Sequence, residues 1–392
     1  HYNAIVAGLM GAGKSTLLKK VMEDEASRGD YIRSFDVSGE FTDLTYALGG
    51  KVLNLDGKDG MVNPLEIFKA DEEEQNNYPI HISKLITLYR FFKPYAETEE
   101  LYAYQQVLDE LYEHFGIKAK TGNKENQITG LPVESYPIYQ DLLDFLEKKI
   151  SDMTSKEYGD IEKELIVKEL LLLNSVKKTI STIISTYGSV LNGYTSIRIS
   201  DEQIVTFNVS SLKKMSNSIF QAVTFNILTL CWNDSVISGS LMKNGYEKGK
   251  IAFEDVTRYL IIIDESPQLL NTENLQAFEL IRRFLREGRK YFIGMIFAAQ
   301  SIKDYFPSLD VKKTEKMTEI FEMAKYKFIF QQDESVSAIL KNIFGKNLTE
   351  SQIERIPTME RGECYIAISG VQTYQVQIEV SQEELALFAG GV

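Results

Sequence analysis

The chain has 392 residues, of which 44% are hydrophobic and 25% are charged, and this composition is typical of a folded protein rather than a disordered one. Its net charge of −13 repels a polyanion such as DNA on average, so nucleic-acid binding is not favoured and would need a local basic patch. Cys231, Cys364 and three scattered histidines cannot supply a zinc site of the usual spacing, and such sparing use of cysteine is typical of a reducing compartment. The apolar stretches are far shorter than the ~20 residues of a membrane span, so no membrane insertion is expected.

The first block of the chain alternates strands and helices. Ala4–Ala7 predicts a short strand, a glycine-rich turn follows, and a helix is expected over about 14–27. Tyr31–Asp36 and 51–55 predict two further strands. This βαβ rhythm predicts an α/β fold in which helices pack on a sheet.

The middle of the chain changes character and predicts a helical insertion. It opens on the acidic polar run 71–77, and 120–130 reads as a polar loop. Apolar residues recur there in steps of three and four, as in amphipathic helices: Leu101, Tyr104, Leu108, Leu111 and Phe115, then Leu173, Val176, Ile180, Ile183 and Tyr187. We therefore expect an all-α subdomain at 71–199, inserted between the segments 1–70 and 200–392 of one core.

The α/β rhythm returns after the insertion. The pattern predicts a strand at 204–209, a buried helix at 219–232 and a hydrophilic loop at 238–250. Further elements are expected as strands at Tyr259–Ile263, 291–298 and 325–330, helices near 273–286 and 314–324, and a C-terminal β-hairpin formed by 363–369 and 371–378.

The turn after the first strand has the pattern of a phosphate-binding loop. The segment Gly8-Leu-Met-Gly-Ala-Gly-Lys-Ser15 fits GxxxxGK[ST], with the required strand before it and helix after it. Its glycines let successive N–H groups point at phosphates, Lys14 is expected to reach the β- and γ-phosphates, and the Ser15 hydroxyl is placed for Mg²⁺. Thr16 is expected at the α-phosphate or as a helix cap. The predicted nucleotide-binding residues are Gly8, Gly11, Ala12, Gly13, Lys14, Ser15 and Thr16.

Two carboxylates follow the most apolar strand. Tyr259–Ile263 leads directly into Asp264 and Glu265. In a P-loop fold, the Asp at such a strand end lies beside the phosphate turn and helps to hold Mg²⁺. The adjacent Glu can take a proton from the attacking water as general base. A solvated strand end is the alternative, but together with the phosphate turn the pair predicts ATP or GTP hydrolysis.

The guanine-nucleotide alternative has weak support. Residues 36–39 (Asp-Val-Ser-Gly) do match DxxG. The nearest string to NKxD is 123–126, Asn-Lys-Glu-Asn, which lacks the Asp and lies in the predicted insertion. ATP is therefore the expected nucleotide.

A sensor and an arginine are expected near the γ-phosphate. Gln300 follows the strand 291–298 and could hydrogen-bond the phosphate or the water, with a turn-capping role as the alternative. An arginine on the transition state contributes about 10³–10⁵ in rate, although a charged helix face explains most clustered arginines. Four arginines lie close together before the strand 291–298, namely Arg282, Arg283, Arg286 and Arg289. Of these, Arg286 and Arg289 are the better candidates because they lead directly into that strand. Arg361, at the start of the hairpin, is another candidate.

A series of short motifs follows in an order typical of one family. They are 8–15 (the phosphate turn), 36–41 (Asp-Val-Ser-Gly-Glu-Phe), 47–50 (Ala-Leu-Gly-Gly), 63–65 (Asn-Pro-Leu), 261–265 (Ile-Ile-Ile-Asp-Glu), 286–291 (Arg-Glu-Gly-Arg-Lys-Tyr), 298–300 (Ala-Ala-Gln) and 361–364 (Arg-Gly-Glu-Cys). Over nearly the whole chain they resemble the C-terminal ATPase domain of the type IV secretion and conjugation ATPases, of the VirB-four, TraC and TrbE type.

This resemblance implies a RecA-like P-loop core, akin to the HerA and FtsK motors. It also implies Mg²⁺-dependent ATP hydrolysis that energises channel or pilus assembly and substrate transfer. The implied partners are the inner-membrane complex and coupling ATPases, with a homo-hexamer at the cytoplasmic face of the inner membrane. The family's sensor often reads Thr-Gln, where this chain has Ala299-Gln300.

Two alternative functions remain open on the sequence. One is a HerA- or FtsK-like DNA translocase, which would use the same motor residues. The other is a docking module that hydrolyses nucleotide slowly. The chain opens on His1 with the phosphate turn starting at Gly8, so we expect a fragment cut at the boundary of the motor domain.

Overall fold

A computed structural model describes residues 3–117, 127–308, 310–345 and 347–388. The chain divides into two compact units: His1–Asn54, Ile199–Lys214 and Ile237–Val392 form the first, and Leu55–Arg198 and Met215–Val236 form the second. The second unit thus begins before residue 71, where the sequence pattern placed the start of the insertion. Residues 120–126 of the predicted polar loop lie outside the described residues.

The first unit contains a mixed sheet. Its strands are β1 (Ala4–Ala7), β2 (Tyr31–Asp36), β3 (Lys51–Asn54), β4 (Ile204–Asn208), β5 (Tyr259–Ile263), β6 (Ile293–Ala299), β7 (Tyr326–Phe330), β8 (Glu363–Ile368) and β9 (Thr373–Gln377). Within the described ranges they form one nine-stranded sheet in the order β3-β4-β2-β5-β6-β1-β7-β8-β9. The strands from β3 to β7 in this order are parallel, and β8 and β9 add to β7 as the predicted antiparallel hairpin.

The parallel strands end at one common edge of the sheet. Every residue of β5 is buried, as expected for a continuous apolar strand covered on both faces. Its last residue, Ile263, lies opposite Phe35 in β2 and Phe297 in β6. The residues that follow β1, β2, β5, β6 and β7 therefore meet along this edge, which we call the carboxyl edge; the opposite one is the amino edge.

Helices account for most of the remaining described chain. They are α1 (Lys14–Ser27), α2 (Thr42–Ala47), α3 (Glu74–Phe92), α4 (Thr98–His114), α5 (Tyr139–Thr154), α6 (Asp160–Leu191), α7 (Ser210–Met215), α8 (Asn217–Glu247), α9 (Phe278–Glu287), α10 (Val311–Met323), α11 (Ser337–Phe344), α12 (Glu350–Arg355) and α13 (Gln382–Leu387). In the first unit, Leu18 and Met22 of α1 pack in one core cluster with Ile262, Phe330 and Phe388. That core fixes the helix that follows the phosphate turn.

The second unit is helical, as the periodicity predicts. In α4 the residues Tyr104, Leu108 and Leu111 are buried, and in α6 Val176 and Ile180 are buried. The buried series run along one face of each helix, and α4, α5 and α6 pack on one another. In the described part of the chain, no helix combines the length and the apolar character that a membrane crossing requires.

One predicted loop is wrong. The hydrophilic stretch 238–250 was expected to be a loop, but α8 continues to Glu247. Within this stretch, a Cβ on Gly239 would lie 2.2 Å from the carbonyl oxygen of Tyr291. Glycine is needed there because the helix backbone passes close to another segment, and it does not end the helix.

Candidate nucleotide-binding site

The phosphate turn is held by the two strands that flank β1. The Gly8 N–H donates to the Ala299 carbonyl at 3.1 Å, and the Leu9 N–H donates to the Gln331 carbonyl at 3.0 Å. Gly11 and Gly13 have φ values of +82° and +110°, which residues with a Cβ rarely adopt. Gly11 and Gly13 therefore allow the backbone to turn from β1 into α1.

The start of the C-terminal hairpin packs directly against this turn. The Gly362 N–H donates to the Ala12 carbonyl at 2.8 Å. A Cβ on Gly13 would lie 3.2 Å from the Gly362 backbone, and a Cβ on Gly8 would lie 2.8 Å from Phe330. Close approach of the Gly362 backbone, in addition to positive φ, explains glycine at position 13, and close approach of the Phe330 side chain explains it at position 8.

Lys14 meets the acidic pair across the carboxyl edge. Its Nζ lies 2.6 Å from Asp264 Oδ1 and 4.0 Å from Glu265 Oε1. The side chains of Lys14 and Asp264 are only 9% and 5% exposed. Residues far apart in sequence thus form the predicted constellation, in a setting where little water screens the charges.

Glu265 is held in a conformation that aims its carboxylate at the same place. Its backbone is left-handed, with φ +53°, a strained choice for a residue with a Cβ that is often found at functional sites. Burial raises the pKa of the Glu265 carboxyl, and the charge of Asp264 acts in the same direction. The charge of Lys14 and a hydrogen bond from Gln300 oppose that rise in pKa. A carboxylate with a raised pKa is suited to accepting a proton.

Gln300 lies where the sensor was predicted. It follows β6, the strand paired with β5, and its exposed side chain hydrogen-bonds Glu265. The hydroxyl of Ser266, the residue after Glu265, lies 3.0 Å from the Ala298 carbonyl and 2.7 Å from the Tyr305 hydroxyl. These bonds join the end of β5 to the end of β6, which places Glu265 and Gln300 side by side.

Asp36 takes part in its own loop. Its carboxylate accepts N–H bonds from Gly39 at 2.7 Å and Phe41 at 2.9 Å, so the segment matching DxxG forms a closed turn after β2. Burial raises the pKa of Asp36, these N–H bonds lower it, and the nearby Asp264 raises it. The sequence analysis used Asp36 as a guanine-nucleotide signal and within the family motif 36–41, but assigned it no place in the site; its position at the end of a buried strand could have placed it beside Asp264.

The residues expected to hold Mg²⁺ suit that ion. Ser15 is half-buried at the start of α1, and Asp264 supplies a carboxylate to the same edge. Mg²⁺ prefers oxygen ligands and is usually bound by one or two protein groups together with phosphate oxygens and water. In the described ranges no group of three or more His, Cys, Asp or Glu side chains could hold a metal by itself. The donor set therefore fits Mg²⁺ bound together with a nucleotide.

The three candidate arginines lie at different edges of the sheet. Arg361 is exposed and precedes Gly362, whose N–H bonds the phosphate turn. Arg286 lies in the last turn of α9, with its Nη2 3.1 Å from Glu319 Oε1, and Arg289 lies in the turn that enters β6. Arg286 and Arg289 are thus at the amino edge, about 20 Å away along the seven residues of β6.

Comparison with known sequences gives one curated relative and no family model. The relative is an uncharacterized protein of Bacillus anthracis, 30% identical over 411 aligned positions that include 100% of this chain. The match spans 62% of the relative, so this chain corresponds to about three-fifths of that protein's length.

Comparison with solved structures identifies the fold. VirB4 of Thermoanaerobacter pseudethanolicus superposes with a TM-score of 0.78 at 21% identity, over 98% of this chain and 90% of that one. The bacterial conjugative coupling protein TrwB, in complex with ADP and Mg²⁺, superposes with a TM-score of 0.59 at 13% identity, over 97% and 86% of the two chains. TrwB has also been solved with a non-hydrolysable ATP analogue. The comparison confirms the predicted fold: this chain shares with VirB4 and TrwB a RecA-like architecture, a mostly parallel sheet flanked by helices.

Proposed function

We propose that this chain is an Mg²⁺-dependent ATPase that energises a type IV secretion or conjugation system. The observation that carries the proposal is the buried contact of Lys14 with Asp264, at 2.6 Å, beside Glu265 at the mouth of a glycine-rich turn. The fold shared with VirB4 and TrwB supports the secretion context.

The side chains suggest a division of labour in hydrolysis. Lys14 exchanges its ion pair with Asp264 for the β- and γ-phosphates, and the N–H groups of the turn bind the same anion. Mg²⁺ held by Ser15 and Asp264 would neutralise charge on the phosphate oxygens. Glu265 accepts a proton from the attacking water, and Gln300 keeps its carboxylate in place.

Arg361 is the arginine best suited to act within one chain. Its backbone is joined to the phosphate turn through Gly362, so of the three candidates it is the one at the carboxyl edge, where the nucleotide would bind. Arg286 and Arg289 remain candidates only for a site on a second chain, because both lie at the far edge of their own sheet.

The proposal extends to the nucleotide and to the partners. ATP is proposed over GTP, since the DxxG segment closes on Asp36 and no NKxD accompanies it. We place the protein at the cytoplasmic face of an inner membrane, with secretion components and further copies of itself as partners. The net charge of −13 argues against a DNA translocase, and filter binding across a salt series tests this: tight, steeply salt-dependent binding would favour translocation.

A phosphate-release assay tests the ATPase proposal. Wild-type chain with ATP and MgCl₂ is expected to turn over, and EDTA is expected to stop it. Glu265→Gln is expected to keep nucleotide binding and to lower turnover by about 10²–10⁴, the usual contribution of a general base. Equal turnover by wild type and Glu265→Gln would remove Glu265 from the mechanism.

A further inference from the structure

We propose that Gln332 is a positioning residue for hydrolysis, which holds the loop of Gln300 and through it the Glu265 carboxylate. The inference rests on the proposed ATPase function. It assigns a role to a buried amide that matches none of the motifs in the sequence.

The Gln332 amide is fully engaged with the backbone of its neighbours. Gln332 follows β7 and is 1% exposed. Its Oε1 accepts the Ile302 N–H at 3.0 Å, and its Nε2 donates to the carbonyls of Gln300 at 3.2 Å and Gln331 at 3.0 Å. A buried amide whose two N–H groups and oxygen are all hydrogen-bonded fixes the segments it touches.

These bonds bracket the candidate sensor. The carbonyl of Gln300 and the N–H of Ile302 lie on either side of Ser301, so one side chain fixes the backbone on both sides of the loop that follows β6. Because the Gln300 side chain is exposed, surrounding packing does little to orient it. The backbone that Gln332 holds therefore sets where the Gln300 amide meets Glu265.

The same amide connects the sensor loop to the phosphate turn. The Gln331 carbonyl accepts from Gln332 Nε2 and also from the Leu9 N–H of the turn, both at 3.0 Å. In the sheet, β1 lies between β6 and β7, so Gln332 reaches across the end of the strand that carries the phosphate turn. The phosphate turn and the loop that carries Gln300 are thereby joined through the Gln332 side chain.

Only an amide of this length satisfies the arrangement. The Ile302 N–H faces one end of the amide and two carbonyl oxygens face the other, which settles the orientation of the Gln332 amide. Glu at this position would bring a carboxylate against two carbonyl oxygens. Met has nearly the same length and volume but neither donates nor accepts strongly. Met removes all the hydrogen bonds of the amide, whereas Glu keeps an acceptor for the Ile302 N–H and loses the donation to the Gln300 carbonyl; both leave the direct nucleotide contacts in place.

Steady-state ATP hydrolysis by Gln332→Met and Gln332→Glu tests the role. We expect kcat to fall by up to about tenfold, no more than the loss of the Gln300 hydrogen bond to Glu265 itself would cost. We expect KM, and the affinity for a fluorescent ATP analogue, to stay within about threefold, since Lys14 and the turn are untouched. The matched control is Gln203→Met. Gln203 donates to two carbonyls, of Ala26 and Asp30, at the amino edge, and kcat should stay within about twofold.

A double variant shows whether Gln332 acts through Gln300. If it does, Gln300→Ala with Gln332→Met has the kcat of Gln300→Ala alone within about twofold, because the second change removes support for a side chain already absent. Multiplied losses in the double variant would overturn the proposal, and so would loss of nucleotide affinity in Gln332→Met, which would indicate a merely structural role.

The two proposals can fail separately. Wild-type turnover by Glu265→Gln would refute the proposed mechanism, whereas an inactive Glu265→Gln with wild-type kcat in Gln332→Met would refute only the positioning role.

Discussion

The two edges of the sheet carry similar charges in different surroundings. At the carboxyl edge, Lys14 and Asp264 pair with side chains 9% and 5% exposed. At the amino edge, Arg286 pairs with Glu319 while its own side chain is 56% exposed. A buried pair interacts in a low dielectric and costs free energy to desolvate, whereas an exposed pair contributes little. Clustered charge alone therefore does not distinguish the two edges; the burial of charge beside strained backbone does, and it is the reason for proposing the site at the carboxyl edge.

Lys14→Ala should produce the largest difference between the edges. Removing a preorganised charge from a transferring phosphoryl group lowers turnover by about 10²–10³, and nucleotide affinity should fall as well. Lys20→Ala is the control on the same helix, because Lys20 pairs with Glu384 near the surface. Turnover and binding of a fluorescent ATP analogue are the measurements. Wild-type affinity in Lys14→Ala would show that burial at this edge has another purpose.

Gln300→Ala should have a smaller effect with a distinctive pH signature. Losing one hydrogen bond to the base should lower turnover about tenfold. That bond lowers the pKa of Glu265, so its loss raises the pKa further above the ordinary 4.5. Since the base must be ionised, the acid limb of the kcat profile should move to higher pH. A limb that moves to lower pH would contradict the hydrogen bond from Gln300.

Two glycines of the turn separate backbone conformation from close approach. Gly11→Ala places a Cβ at φ +82° with open space around it, and should cost about 1–2 kcal/mol of unfolding free energy. Gly13→Ala adds a contact at 3.2 Å with Gly362 and should cost at least about 1 kcal/mol more. Urea unfolding of both variants measures the difference. Equal losses of unfolding free energy in the two variants would mean that the hairpin shifts at little cost to make room for the Cβ at position 13.

Local sequence patterns correctly predicted those elements whose structure depends mainly on residues adjacent in the sequence. The apolar run Tyr259–Ile263 is β5, as expected. The phosphate turn could be recognised from its own glycines together with the strand before it and the helix after it. The helix expected near 273–286 begins at Phe278, because the Asn271 side chain accepts N–H bonds from Glu273 and Asn274 and closes a turn there. Such side-chain turns compete with helix on short stretches that periodicity does not resolve.

Contacts between segments that are distant in the sequence could not be predicted from the sequence patterns. Gln332 has no motif, and only the apolar strand before it, ending in two glutamines, could have suggested a polar group at the carboxyl edge. Gly362 contacts the turn because β8 is antiparallel to β7, so its first residues lie beside the end of β7. The sequence indicated that Arg286, Arg289 and Arg361 were candidates, but strand order and direction decide which of them is near Lys14.

The smallest expected effect is that of Arg286→Ala and Arg289→Ala on dilute chain. Both residues lie about 20 Å from the phosphate turn along β6, so a monomer's turnover should stay within about twofold of wild type. Arg361→Ala, at the carboxyl edge, should lower turnover under the same conditions, because its backbone adjoins the turn. Turnover measured against chain concentration, with sedimentation to report association, extends the comparison. If either amino-edge arginine serves a neighbour's site, its loss should appear only where chains associate. A loss of turnover in a sedimenting monomer of Arg289→Ala would break the distinction between the two edges.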